Sequence, residues 1–442
     1  MNAPASTRTN AWQNWSGLAH GTPARVVTPQ DRSDVVAAVR AAGERGGRVK
    51  MVGSGHSFTP IGVPEDVMLS PGALRGVTAV DHRAMTVTAL AGTPLHVLNA
   101  ELAHLGLSLH NMGDIAEQTL AGATSTGTHG TGGVAASLSA QLAGLELVTG
   151  DGSLLRCSRA DHPDVFAAAR LGLGALGILT ELTFEVEPLG VLEAHERPAS
   201  WDEVVATYDE VVASHHHVDA YWFPHTDRML LKTNDRLAAD PAEAHPLSRF
   251  RRWWDDDLLA NTVLGGVTTV GARLPRIVPR LNDLIGRLVS ERTYSDVPHR
   301  VFTSPRRVAF REMEYALPRE AGLAALQEAR HRIEASDWRV GFPVEIRNTP
   351  ADDLTLGPST GRDSFYLAFH VPAAVDHTGF FAAMEEICVA HGGRPHWGKL
   401  HNRTAADLAG DYPGWHEFQA VRDRLDPDRV FTNAHLTRVL GA

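Results

Sequence analysis

Cysteine is nearly absent: Cys157 and Cys388 are the two in 442 residues. So few thiols exclude a disulfide framework and point to a reducing compartment. Long apolar runs are missing too. Nothing approaches the about 18 consecutive apolar residues of a membrane span, and Val263 to Val270 is short and interrupted by glycine. Met1 to Asn14 lacks the basic-then-apolar order of a signal peptide. Positive charge is not in excess either: the formal net charge of −11 argues against nucleic acid or an anionic membrane surface as the main partner. No internal repeat or low-complexity tract stands out. The remaining composition, 43% hydrophobic and 21% charged, is that of a soluble globular protein, read here as cytoplasmic. The length exceeds what one hydrophobic core usually holds, so two domains are expected.

What is there centres on Met51-Val52-Gly53-Ser54-Gly55-His56-Ser57-Phe58. A mostly apolar lead feeds a turn in which Gly53 and Gly55 carry no side chain to keep a phosphate from the main-chain N–H groups. Converging N–H groups form an anion-binding concavity, and Ser54 and Ser57 add hydroxyl donors. His56 sits at the tip with both ring nitrogens available. Alone, the pattern also fits a plain surface turn. A second glycine- and threonine-rich stretch, Ala121 to Gly133, reads as another phosphate-friendly loop. Two such loops suggest a diphosphate, hence a dinucleotide.

The first 187 residues alternate α and β. Residues 31–45 form an amphipathic helix ended by Gly46-Gly47, and Met85 to Leu90 a strand. Thr93-Pro94 caps a helix that buries Leu95, Leu98, Leu102 and Leu105. Asp151-Gly152 joins a hairpin, and Ile178 to Val186 is a strand. Gly172-Leu-Gly174-Ala-Leu-Gly177 matches GxGxxG, but a helical stretch precedes it and a strand follows, the reverse of the nucleotide-binding context. Close backbone approach to a ligand or strand is the remaining use.

After Pro188, Ser200-Trp-Asp-Glu203 reads as a capping box opening a helix through Val212. Tyr221 to Phe223 and Met229 to Lys232 read as strands, and Asp235 to His245 as a polar loop. Helices near 276–288, 319–335 and 376–391 interleave with strands near 307–315, 339–348 and 364–371, an open sheet backed by helices.

Two of those strands concentrate polar groups. The two-residue period places Glu345 and Arg347 on one face, with Phe342, Val344 and Ile346 on the other. Tyr366, Ala368 and His370 share a face of the next strand. A carboxylate and a guanidinium side by side can wall a site for a hydroxylated substrate, or simply face solvent; His370 alone fits a structural histidine equally. Arg394-Pro-His396-Trp397-Gly398-Lys399 is also dense in polar and aromatic groups. His215-His216-His217 has no nearby cysteine or paired carboxylate, so no metal site is expected.

Together these pieces resemble the sugar-1,4-lactone oxidase and alditol oxidase group of the vanillyl-alcohol-oxidase superfamily. The likeness runs from Trp15-Ser16-Gly17 to Asn433-Ala434 and is carried by Gly53 to Ser57, Asn111 to Gly130 and Pro395 to Lys399. It implies an α+β protein: a two-subdomain PCMH-type FAD-binding domain (1–187), an α+β cap or substrate domain with an open, mostly antiparallel sheet (188–399), and a C-terminal segment (400–442) packing back on the FAD domain. It implies FAD held covalently through His56 at the flavin 8α carbon. Gly53, Ser54, Gly55 and Ser57 would wrap the pyrophosphate, with Gly113, Asp114, Thr119, Gly122, Thr126, Gly127, Thr128, His129, Ile178 and His396 as further cofactor neighbours.

Glu345, Arg347, Lys399 and His370 match the polar residues around the substrate and the flavin's pyrimidine end; Glu345 and His370 are the alternative bases. The run Asn111-Met112-Gly113-Asp114 departs from the alditol oxidases, where a serine stands in place of Asp114. The substrate implied is therefore a sugar-1,4-lactone, with an alditol as the alternative. Gly113 goes with oxygen access in this family, which favours dioxygen as acceptor, with hydrogen peroxide formed, over a cytochrome or quinone.

Overall fold

The computed structural model describes residues 10–134, 136–248, 264–303 and 308–442. Met1 to Thr9 of the amino-terminal stretch and position 307 of an expected strand lie outside the described residues.

Near the N-terminus, Arg25–Val27, Val67–Leu69 and Val49–Met51 form a parallel sheet with Val67–Leu69 in the middle. Parallel strands need a crossover, and the helix Arg32–Gly43 supplies one, capped by the Asp31 carboxylate and burying Val35, Val39 and Ala42. The strand Val49–Met51 then delivers the chain into the Gly53–Ser57 turn.

A five-stranded antiparallel sheet follows, in the order Leu154–Ser158, Leu142–Val148, Ile178–Glu185, Thr86–Leu90, Val77–Asp81. The expected Asp151-Gly152 hairpin is there: the Asp151 carboxylate accepts from Thr149 Oγ1 and Ser153 N. The helix Leu95–His104 buries Leu95, Leu98 and Leu102, while Leu105 is only half-buried. Its start differs from the expected cap. The Thr93 hydroxyl accepts from Gly76 N and donates to Leu90 O, and Pro94 takes the cap position. The GxGxxG stretch follows the helix Pro163–Ala169 and runs into the strand Ile178–Glu185. A Cβ at Gly177 would sit 2.7 Å from Val148 O, the close strand approach its glycines allow.

One expectation is corrected. Ala121 to Thr126 are not a loop: they lie in the helix Leu120–Thr126, whose N-cap Thr119 accepts from Gly122 N. Gly127 ends it in the left-handed region at φ 77°, the conformation glycine adopts without strain.

The third sheet has eight strands, all antiparallel: Arg292–Asp296, Val191–Ser200, Arg228–Leu237, His217–Trp222, Val344–Thr349, Ser364–Pro372, Phe310–Pro318, Arg394–Pro395. Helices Trp201–Ser214, Gly322–Glu334 and Thr378–Ala390 back it, and Val344, Ile346, Phe365, Leu367 and Phe369 pack into that core. Phe342 does not join them; it precedes the strand and packs with Phe58 and Phe310. Ser200 caps its helix through Glu203 N, but the Glu203 carboxylate pairs with Arg197, so the reciprocal half of the expected box is absent. The strand Arg228–Leu237 runs into what read as a polar loop. Leu408, Tyr412, Trp415, Phe418 and Leu436, late in the chain, share the core of the five-stranded sheet.

Candidate active site

The Gly53–Ser57 turn lines an open groove of about 890 Å³ together with Thr119, Gly122, Thr126, Gly174 and Ile178. Main-chain N–H groups on either side of the turn are paired, Val52 N with Leu69 O and Phe58 N with Gly398 O. Among the described residues, those of Gly53 to Ser57 donate to no protein acceptor. A row of free N–H groups is an anion cradle. A Cβ at Gly53 would lie 2.1 Å from Thr119 Oγ1, so the turn and the capped helix can meet only through glycine. Ser54 Oγ donates to Glu117 O at 2.5 Å.

His56 and Ser57 also line a second cavity of about 580 Å³, shared with Gly113, Asp114, Thr128, His129, Glu314, Arg347, His396 and Lys399. The two spaces thus share His56 as a wall residue, and its ring stacks on Trp15 at 5.8 Å. Burial lowers its pKa, with Lys399 acting in the same direction against Glu117, so the imidazole is held neutral and nucleophilic.

The far wall is the face of the third sheet. Arg347 donates from Nε to Asp219 at 3.2 Å and pairs through Nη2 with Glu345 at 2.5 Å and Asp114 at 4.0 Å. Glu345 also accepts from Tyr221 OH at 2.7 Å. Burial works against the guanidinium charge, but Glu345, Asp114 and Asp219 more than offset it. Burial pushes Asp219 up to about 6 despite Arg347. Glu345 and Glu314 flank Ala368 in the strand register, so a small residue separates two carboxylates. Lys399 donates to Glu312, which lies 3.5 Å from His370 Nε2. His129 packs tilted against Tyr366, ring centroids 4.0 Å apart, and points Nε2 at Glu314, 3.3 Å away. His396 accepts from Gly398 N through Nδ1, and burial pushes it down to about 3.

Most of the expected site residues therefore converge. Glu345 and His370 touch the cavity set through Arg347 and Glu312 rather than lining the cavity. Gly127 lines neither space; as the helix cap it backs onto Leu171, whose Cδ1 a Cβ would meet at 2.9 Å. Missed in the sequence were Glu312, Glu314, Asp219 and Tyr221. The alternation Phe310-Arg-Glu312-Met-Glu314-Tyr carried a signal for the first two. His215 and His217 are taken up by Asp235 and the Thr131 carbonyl. Glu312, Glu345 and His370 bring donor atoms within 4.8 Å, but Lys399 and Arg347 already neutralise those carboxylates.

Gly113 holds its place for a steric reason as well. A Cβ there would lie 2.9 Å from His129 O and 3.4 Å from Thr128 Cγ2. Gly113→Ala is expected to destabilise by about 1–3 kcal/mol, the usual cost of overpacking, seen as a lowered thermal midpoint. An unchanged midpoint would mean the His129 backbone gives way freely.

Residues 182–439 match the family model described as D-arabinono-1,4-lactone oxidase, and residues 23–158 one described as FAD binding domain. The chain belongs to the sugar-1,4-lactone oxidase and alditol oxidase group. An L-gulono-1,4-lactone dehydrogenase of Mycobacterium tuberculosis is 39% identical over 430 residues, covering 97% of this chain and 99% of that one. An L-gulonolactone oxidase of Mus musculus is 31% identical over 435 residues, covering 97% and 98%. A solvent-stable cholesterol oxidase has the same fold, with a TM-score of 0.83 at 19% identity, covering 98% of each chain. As a member of this oxidoreductase group the chain is an FAD-dependent enzyme, and the free N–H row and glycine cradle fit a dinucleotide diphosphate. No helix among the described residues is long and apolar enough to cross a membrane.

Proposed function

We propose that this enzyme oxidises a carbinol carbon of a sugar-1,4-lactone of the L-gulono, D-arabinono or L-galactono type, with dioxygen as acceptor and hydrogen peroxide as product. The observation that carries the reading is the wall of Arg347, Asp114 and Lys399 facing His56 across one cavity, with Glu345 paired to Arg347 behind it. Its alternating charges suit a ligand that is all hydroxyl and carbonyl oxygen. When bound, FAD would supply the redox chemistry as hydride acceptor. Gly53, Ser54, Gly55 and Ser57 would hold its diphosphate, and Thr119, Gly122, Thr126 and Ile178 would complete the groove. His56, neutral and stacked on Trp15, would carry the covalent link.

On the substrate side, Arg347 would orient ring and carbonyl oxygens through its guanidinium. The contacts of Glu345 to Arg347 and Tyr221 fall on Oε1, and Oε2 would accept from the substrate hydroxyl and take its proton. Lys399 would place positive charge at the flavin's pyrimidine end, between Phe58 and Glu312.

Acid precipitation tests the tether: yellow colour should stay with the wild-type pellet and move to the supernatant in His56→Ala. Pigment washing freely from wild type would refute the covalent link. A panel of lactones and alditols scored for peroxide tests substrate and acceptor together. A second reading is a dehydrogenase passing electrons to a cytochrome or quinone. It is favoured by the mycobacterial relative, which is named a dehydrogenase and shares 39% identity. Lactone-dependent dye reduction without peroxide would establish it.

A further inference from the structure

We propose that Glu312 is a positioning residue that fixes Lys399 as a hydrogen-bond donor toward the substrate and ties His370 down, leaving Glu345 as the base. The inference rests on the lactone-oxidation reading. In the strand Phe310–Pro318, Met313, Tyr315 and Leu317 enter the core, and the two-residue period turns Glu312 and Glu314 to the site. Glu312 stands directly opposite His370 in the antiparallel register.

Its Oε2 accepts from Lys399 Nζ, and its Oε1 lies 3.5 Å from His370 Nε2. His370 Nδ1 lies 3.2 Å from the Pro343 carbonyl oxygen. Both imidazole nitrogens thus face acceptors, and no ring lone pair is turned to a substrate hydroxyl. A base needs that lone pair, so the role passes to Glu345, whose contacts to Arg347 and Tyr221 both fall on Oε1. The rings of Phe310 and Phe342 pack around His370 at 5.4 and 6.2 Å, and Glu345 is its other charged neighbour.

The same strand also fixes the backbone that carries Lys399. His396 N donates to Glu314 O and Leu400 N to Glu312 O, both at 3.0 Å. The ammonium faces Glu312 and Glu314 from this strand, Asp114 from the loop after Met112, and His56 and His396 from their own segments. Burial disfavours its charge, yet the carboxylates, Glu312 foremost, raise its pKa above the usual lysine value. Glu312 is lowered in turn: burial opposes its ionisation, and Lys399 overcomes it.

The test is Glu312→Gln in the flavin-loaded enzyme. With the anion gone, Lys399 deprotonates at lower pH. The alkaline limb of kcat/KM for a lactone should move down by about 1–3 pH units, the shift an adjacent opposite charge supports, and Glu312→Asp should restore most of it. A readout that needs no substrate is the absorbance of anaerobically photoreduced enzyme titrated with acid and base. Removing the Glu312 charge should move the reduced-flavin ionisation to lower pH. A Glu312→Gln protein with bound flavin, normal melting and both profiles unmoved would overturn the proposal. If that variant fails to fold, Lys399→Met and Lys399→Met/Glu312→Gln decide: indistinguishable kcat/KM profiles support coupling through Lys399, and a further shift in the double variant overturns it. A wild type that no lactone reduces would sink the lactone reading, while the photoreduced titration still judges Glu312.

Discussion

Glu345→Gln should slow flavin reduction by a saturating lactone by about 10²–10⁴-fold, the range that general-base assistance supplies. Glutamine has nearly the same shape, and its carbonyl can still accept from Tyr221 OH and Arg347 Nη2, the contacts at 2.7 and 2.5 Å that fix Glu345 Oε1. What it loses is the capacity to take the hydroxyl proton. The effect should therefore fall on the reductive rate in stopped flow and leave flavin content and KM much less altered. An unchanged reduction rate would remove Glu345 from the chemistry and return the role to His370, against the two acceptors that face its ring.

What could be read beforehand, and what could not, divides along physical lines. Gly53 to Ser57 were legible because only a turn that exposes its backbone needs two glycines and two serines around a histidine. The Glu345/Arg347 face was legible because a two-residue period survives any tertiary context. The stretch after Thr119 misread as a loop because Ala, Gly, Ser and Thr favour caps and turns when alone. Burial of Leu120, Ala121 and Ala123 in the main core overrides that preference. Glu312 and Glu314 escaped notice for a different reason. Two carboxylates on one strand face read as solvated until the sheet order is known, and the order puts that strand beside Ser364–Pro372 with the Lys399 segment laid across it. Asp219 was hidden because its strand begins at His217, earlier than the Tyr221 start that side-chain character suggested.

Arg347→Met carries the largest expected loss of stability, and its pH dependence makes it diagnostic. The guanidinium is the common partner of three carboxylates: Glu345, Asp219 and Asp114. Methionine fills similar length but leaves buried anions uncompensated, which typically costs about 3–5 kcal/mol. Asp219 sets the sign of the pH effect. Burial already raises its folded-state pKa to about 6 with Arg347 in place, above the about 3.9 of an unfolded aspartate. A carboxyl raised on folding binds its proton more tightly in the native state, so its stabilising contribution is present at low pH and lost as pH rises through the folded value. Without Arg347 that folded value climbs further, and the lost stability extends past neutrality. The gap in thermal midpoint between wild type and Arg347→Met should accordingly be small near pH 5 and wide near pH 8. A gap that stays constant, or narrows toward pH 8, would mean that Asp219 and Glu345 find other partners and that Arg347 is held in the wall for the substrate alone.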